Sequence, residues 1–136
     1  MGRVLGLDVG DRRIGIAVSD ETRLIASPHS VYTRVGWGPD VRAIEKLYRE
    51  LDCDLIVSGL PRNMDGTEGF QAQKVRQFIQ QLSNAGLPVA FQDERLSTVS
   101  AHEALIAGGM RREDRKGTVD KVAAAVILQQ YLDKTR

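Results

Sequence analysis

The chain has 136 residues, with 19 Lys and Arg against 18 Asp and Glu, for a net charge of +1. That length suits one domain over residues 1–136 with a substantial core, and the near balance of charge excludes a bulk electrostatic case for nucleic acid. No apolar stretch approaches the roughly 18–20 residues of a membrane span, Cys53 as the single cysteine excludes an internal disulfide and a cysteine-rich zinc site, and strand-like sequence from Arg3 leaves no room for a signal peptide, so the expectation is a cytoplasmic protein with no membrane partner.

In chain order, residues 3–9 read as a buried strand, and Gly10-Asp11-Arg12 as a turn. Ile14 to Val18 is a second strand, near enough to form a hairpin with the first. Leu24 to Thr33 is a third; Pro28 lacks a donor for a ladder bond, which makes this an edge strand. After the loop at Gly36 to Gly38, Pro39 fits the first position of a helix whose apolar face is Val41, Ile44, Leu47, Tyr48 and Leu51. Leu55 to Leu60 is an apolar run ended by Pro61, as in a buried parallel strand. The polar loop from Arg62 leads to a helix with Val75, Phe78, Ile79 and Leu82 on one face, stopped by Gly86 and Pro88. Val89 to Phe91 is the fifth strand. Ser97 or Thr98 caps the next helix, Gly108-Gly109 ends it, and a basic loop follows at Arg111 to Lys116. A last helix is capped near Thr118. Three successive strands, then strands alternating with helices, predict an α/β fold: a five-stranded mixed sheet, antiparallel then parallel, flanked by helices.

Three acids stand out by position. Asp8 interrupts the apolar run Val4 to Val9, where an unpaired carboxylate is costly, so a cation is expected to meet it. Glu94 follows the fifth strand. Asp120 falls in the first turn of the last helix, where the helix dipole favours negative charge, and Val122-Ala123-Ala124-Ala125 would let that helix approach the sheet closely. Carboxylates without neighbouring His or Cys make an all-oxygen set, suited to Mg²⁺ or Mn²⁺. Such ions activate water and stabilise the leaving oxygen in phosphodiester cleavage. Each acid also has a plain reading: Asp120 as a helix-terminal charge, Glu94 in a local ion pair with Arg95, Asp8 paired with Arg13. Spacing alone does not bring them together.

Leu5-Gly6-Leu7-Asp8-Val9-Gly10 with Arg13 to Ala17, Gly59-Leu60-Pro61 with Met64-Asp65-Gly66, Asp93 to Thr98, and Lys116 with Val119-Asp120 and Ile127-Leu128-Gln129 resemble, in order, the four motifs of the YqgF (RuvX) family. The resemblance spans nearly the whole chain. It implies an RNase H-like fold related to Holliday-junction resolvases of the RuvC type. It also implies a metal-dependent nuclease linked to maturation of the 5′ end of pre-16S ribosomal RNA, with Asp8, Glu94 and Asp120 as catalytic and metal-binding acids. RNase H-like nucleases usually carry the second acid at the end of the fourth strand. Here that strand ends Gly59-Leu60-Pro61, so the role passes to Glu94, and one or two ions would both fit.

Arg13, Arg62 and Arg95 lie near the expected site edge and are candidates to hold phosphate oxygens. Asn63 is a candidate for sugar or base contact, and Arg111, Arg112, Arg115 and Lys116 for tracking a backbone, with salt-dependent binding. The expected partner is nucleic acid, with RNA favoured, branched DNA as the alternative and pre-ribosomal particles as the context. A monomer or a homodimer is compatible with this. Two other readings compete: a non-catalytic RNA-binding assembly module, and an actin-like ATP-handling domain. The second lacks a Gly-x-x-x-x-Gly-Lys loop and a partner domain.

Overall fold

The computed structural model describes residues 2–63, 65–93 and 112–135, with 112–118 described by their backbone. Strands β1 (Arg3–Val9), β2 (Arg13–Ser19) and β3 (Ala26–Thr33) are followed by α1 (Trp37–Glu50), β4 (Cys53–Leu60), α2 (Phe70–Asn84), β5 (Val89–Asp93) and the last helix, α3 (Arg112–Lys134). They build one five-stranded sheet in the order β3-β2-β1-β4-β5. The first three strands pair antiparallel, whereas β1–β4 and β4–β5 pair parallel. This is the mixed sheet expected from the sequence. β3 takes the edge, and its pairing jumps from Ile16↔Ser30 to Ala17↔Pro28, a bulge at the proline.

The sheet has two faces, and over β1, β2 and β4 both are covered. Leu5, Leu7, Val9, Ile14, Ile16, Ile56 and Leu60 pack with Ile44 of α1 and with Ala72, Val75, Phe78, Ile79 and Leu82 of α2. Val4, Ala17 and Val57 pack on the opposite face with Ala124, Ala125, Leu128 and Leu132 of α3. Two-sided burial explains why β1 reads as nearly continuous apolar sequence. Among the described residues, no helix is long and apolar enough to cross a membrane.

Two boundaries differ from expectation. Residue Pro39 is the third residue of α1, not the first, because the helix already begins at Trp37. The first-turn N–H groups have no intrahelical partner, so a proline there forfeits no helical bond. More consequentially, α3 begins at Arg112, well before Thr118, so Arg112, Arg115 and Lys116 lie on helix and not in a loop. The run Arg112 to Lys116 is built mostly of good helix formers, with Glu113 and Asp114 in the first turn where the dipole favours acids, and together these outweigh the roughly 1 kcal/mol cost of Gly117. The helix expected from Ser97 or Thr98 falls outside the described residues.

The entry to α1 is fixed by a buried acid. Asp40 is 1% exposed. Its Oδ1 accepts from Tyr32 Oη at 2.9 Å and from the backbone N–H groups of Val35 and Gly36, and its Oδ2 accepts from Arg34 Nε at 2.9 Å. Arg34 Nη1 also donates to the carbonyl of Gly10 at 2.8 Å, tying α1 to the turn after β1. Burial alone would push the Asp40 carboxyl up, but the Val35 N–H, Arg34, Tyr32 and Gly36 outweigh it and hold it below the ordinary value. A lowered folded-state pKa stabilises the fold above the unfolded-state carboxylate pKa, and that contribution is lost as pH falls through the folded value. Asp40→Ala is expected to cost about 3–5 kcal/mol, as when one partner of a buried ion pair is removed. Urea unfolding checks this: the gap between variant and parent should be full at pH 7 and shrink in acid.

Candidate active site

The site begins with strand register. Asp8 pairs with Gly15 on β2, and Gly15 with Val31 on β3. On the other side Leu7 pairs with Ser58, and Gly59 with Gln92. One further step along parallel β1 and β4 sets Asp8 beside Gly59 and Gln92. Gly15, Asp8, Gly59 and Gln92 thus form one lateral row, and the side chains of Asp8 and Gln92 are directed to the same face of the sheet.

That face belongs to α3. Val4, Gly6 and Asp8 alternate along β1 on this side. A Cβ on Gly6 would stand 2.8 Å from Leu128 Cβ and 3.3 Å from the Ala124 carbonyl oxygen. Two turns earlier on α3, a Cβ on Gly15 would overlap the Asp120 carbonyl oxygen. The helix backbone therefore rests on the strands at two glycines, and the buried Ala123, Ala124 and Ala125 permit it. Because Gly15 is the cross-strand partner of Asp8, the same contact brings Asp120 to the Asp8 row. Two of the expected acids share one face at one end of the sheet.

Arg13, at the start of β2, donates from Nε to Asp120 Oδ2 at 2.6 Å. A cation thus already stands at this carboxylate, and both groups are only partly exposed. Arg62 opens the loop after β4, at the edge where parallel β1 also ends. Its Nη2 lies 4.0 Å from Glu68 Oε2, and Glu68 is gripped at both oxygens by Arg76 at 2.6 and 2.8 Å. Asn63 is committed to shaping this loop: its backbone N–H donates to the Thr67 carbonyl at 2.8 Å and its Nδ2 to Thr67 Oγ1 at 2.9 Å. Arg112, Arg115 and Lys116 ride on the α3 backbone before Asp120. Eight residues of helix carry Arg112 roughly 12 Å along the axis from Asp120, past the end of the Asp8 strand. Glu94, Arg95 and Arg111 lie outside the described residues. The chain position before Glu94 is placed: Asp93 ends β5 opposite Leu60, at the same sheet edge.

The donors that Asp8 and Asp120 could offer are carboxylate oxygens, as a hard divalent cation requires. Among the described residues no three His, Cys, Asp or Glu side chains form a metal-holding group. One neutral oxygen joins the acids in the row. Gln92 Nε2 donates to the Asp93 carbonyl at 3.4 Å, while its Oε1 is buried and accepts no hydrogen bond. Sequence reading stopped the fifth strand at Phe91 and missed Gln92. The signal was present, since Phe91 packs on the α1–α2 core and its successor must face α3. Trp37, half-exposed and edge-on to Phe78 at 6.4 Å, anchors α1 on the face opposite Asp8.

Comparison with known proteins covers nearly the whole chain. Residues 2–134 match the family model described as "RuvX: Holliday junction resolvase". A Clostridium novyi protein named "Putative pre-16S rRNA nuclease" is 47% identical over 132 residues, covering 96% of this chain and 98% of its own. A Paracoccus denitrificans protein of the same name is 46% identical over 136 residues, covering 99% and 86%. Among solved structures, Thermus thermophilus RuvC in complex with Holliday junction substrate superposes with a TM-score of 0.62 at 16% identity, covering 99% of this chain and 96% of its own. A fowlpox virus resolvase bound to Holliday junction DNA gives 0.57 at 14% identity, covering 98% of each chain. These likenesses establish the fold as the RNase H-like fold of the resolvases.

Proposed function

The chain belongs to the RuvX family, and on that premise we propose that it is a metal-dependent nuclease that cleaves RNA phosphodiester bonds during maturation of the 5′ end of pre-16S rRNA. The observation that carries the reading is the seating of the Asp120 turn of α3 on Gly15, the cross-strand partner of Asp8. Relatives named for pre-16S rRNA cleavage, 45–47% identical, supply the substrate class.

Asp8, Asp120 and, by chain position, Glu94 would hold Mg²⁺ or Mn²⁺. When bound, the cation supplies Lewis-acid polarisation of the phosphoryl oxygen and a water of lowered pKa. The residues do the rest. Asp8, on a central strand, fixes the position of the site against the rigid sheet. Asp120 closes it from α3. Arg13, held at Asp120, would neutralise a phosphate oxygen, and Arg62 would join it from the neighbouring loop. Arg95 would act from the segment after β5. Arg112, Arg115 and Lys116 on the overhanging part of α3, with Arg111 before them, would follow the substrate backbone, each phosphate contact steepening the loss of affinity with salt. Asn63, bound to Thr67, would contact sugar or base only by exchanging that partner. The setting proposed is a cytoplasmic pre-ribosomal particle.

The family description and the resolvase fold favour one second reading, cleavage of branched DNA by a two-fold dimer presenting two sites. A single assay separates the readings. Purified protein is given an RNA spanning the 5′ junction of pre-16S rRNA, single-stranded DNA and a four-way DNA junction, with Mg²⁺, with Mn²⁺ and with EDTA. Metal-dependent cleavage of the RNA alone is the expected outcome. Symmetric nicking of the four-way junction with intact RNA would replace it by the resolvase reading. RNA binding indifferent to EDTA, with no cleavage in either metal, would make the chain a non-catalytic assembly module.

A further inference from the structure

Gln92 is the residue that neither the family motifs nor the acid pattern accounts for. It stands in the Asp8 row with only Gly59 between them, and glycine has no side chain to fill the gap. Adjacent strands lie about 4.8 Å apart, so the Asp8 and Gln92 backbones are roughly 10 Å apart. The side chains of an aspartate and a glutamine span that distance with one cation between them at about 2.1 Å from each oxygen. The amide is oriented by its own bond: Nε2 faces the Asp93 carbonyl, and a flipped amide would set two acceptors against each other. Oε1 is thereby left buried and unsatisfied, a costly state in a folded chain and one that calls for a donor or an ion.

We propose that Gln92 is a neutral oxygen donor beside the carboxylates of the Asp8–Asp120 site, its Oε1 joining the shell of a hard divalent cation. This rests on the metal-site reading above and deepens it. A neutral amide would add an oxygen to the carboxylates of this site without adding negative charge beside a phosphodiester. Gln92→Leu keeps the volume and removes the acceptor. Gln92→Glu keeps the oxygen and adds charge.

The test is Mn²⁺ binding to the full chain without nucleic acid, followed by electron paramagnetic resonance and calorimetry, alongside thermal unfolding of the metal-free protein. Gln92→Leu is expected to weaken Mn²⁺ binding about 10-fold or more, on the scale seen when groups around a metal are removed, while the metal-free Tm holds or rises because a buried unsatisfied oxygen is gone. Gln92→Glu should bind Mn²⁺ as tightly as the parent or tighter. Parent-like affinity in Gln92→Leu, with binding lost in Asp8→Asn, overturns the role of Gln92 and leaves the metal site standing. A parent protein that binds no Mn²⁺ overturns both.

Discussion

Asp8→Asn is expected to lower Mg²⁺- or Mn²⁺-dependent cleavage by about 10²–10³-fold or more, the scale of losing one preorganised electrostatic group in an active site, with the fold intact. The variant keeps the shape of the side chain and removes its charge. That charge sits on a strand covered on both faces, where an ion interacts more strongly than in water. Asp120 shares the face but is already paired with Arg13, and Asn keeps the shape of the side chain, so thermal unfolding of the variant should hold its midpoint to within about 1 kcal/mol, roughly 3–5 °C at this size. The pairing of lost cleavage with retained stability is diagnostic. Undiminished turnover on RNA in the same buffer would remove Asp8 from the chemistry.

Gly15→Ala is expected to be the most damaging added methyl among the glycines of the described residues. The new Cβ would overlap the Asp120 carbonyl oxygen and stand 3.1 Å from the Lys121 backbone nitrogen. Both are main-chain atoms of a helix, so no rotamer change relieves the clash, and α3 must lift from the sheet. Overpacking ordinarily costs 1–3 kcal/mol, and a helix displaced from its core is placed at about 3 kcal/mol or more. Gly36→Ala is the control. Its φ of 162° is extended backbone, and its Cβ would meet only Pro39 Cδ at 3.8 Å, so a loss under about 1 kcal/mol is expected. Urea midpoints of the two variants check the contrast. A Gly15→Ala protein as stable as Gly36→Ala would mean that α3 does not sit as described. Any folded Gly15→Ala fraction should bind Mn²⁺ weakly as well, since the same contact places Asp120.

The strands and the two amphipathic helices were legible because their periods are simple. Alternation and apolar runs marked β1, β2 and β4, Pro28 marked the edge, and Gly86, at φ 89°, marked the stop after α2. Asp8 and Asp120 were legible for different reasons, one as an acid out of place in a buried strand, the other as an acid ahead of a run of alanines; its expected place in the first helical turn was wrong, since α3 begins at Arg112, two turns earlier. Their placement on one face was not legible. It depends on Gly15 being opposite Asp8, a cross-strand register that no local pattern encodes. The early start of α3 was missed because a dense run of charges resembles a surface loop and Gly117 resembles a break, although most of those residues favour helix. Asp40 escaped notice because its partners Tyr32, Arg34 and Val35 belong to the end of a strand and its following loop.

The α3 helix has two duties that could have been divided: it covers one face of the sheet and it carries Asp120. The order in which the chain is made gives this union a consequence. While α3 is still inside the ribosomal tunnel, the nascent chain has Asp8 on β1 but neither the cover nor the opposing acid. On the proposed reading, such a nascent nuclease would stay inert, beside the class of molecule proposed as its substrate, until α3 leaves the tunnel and docks.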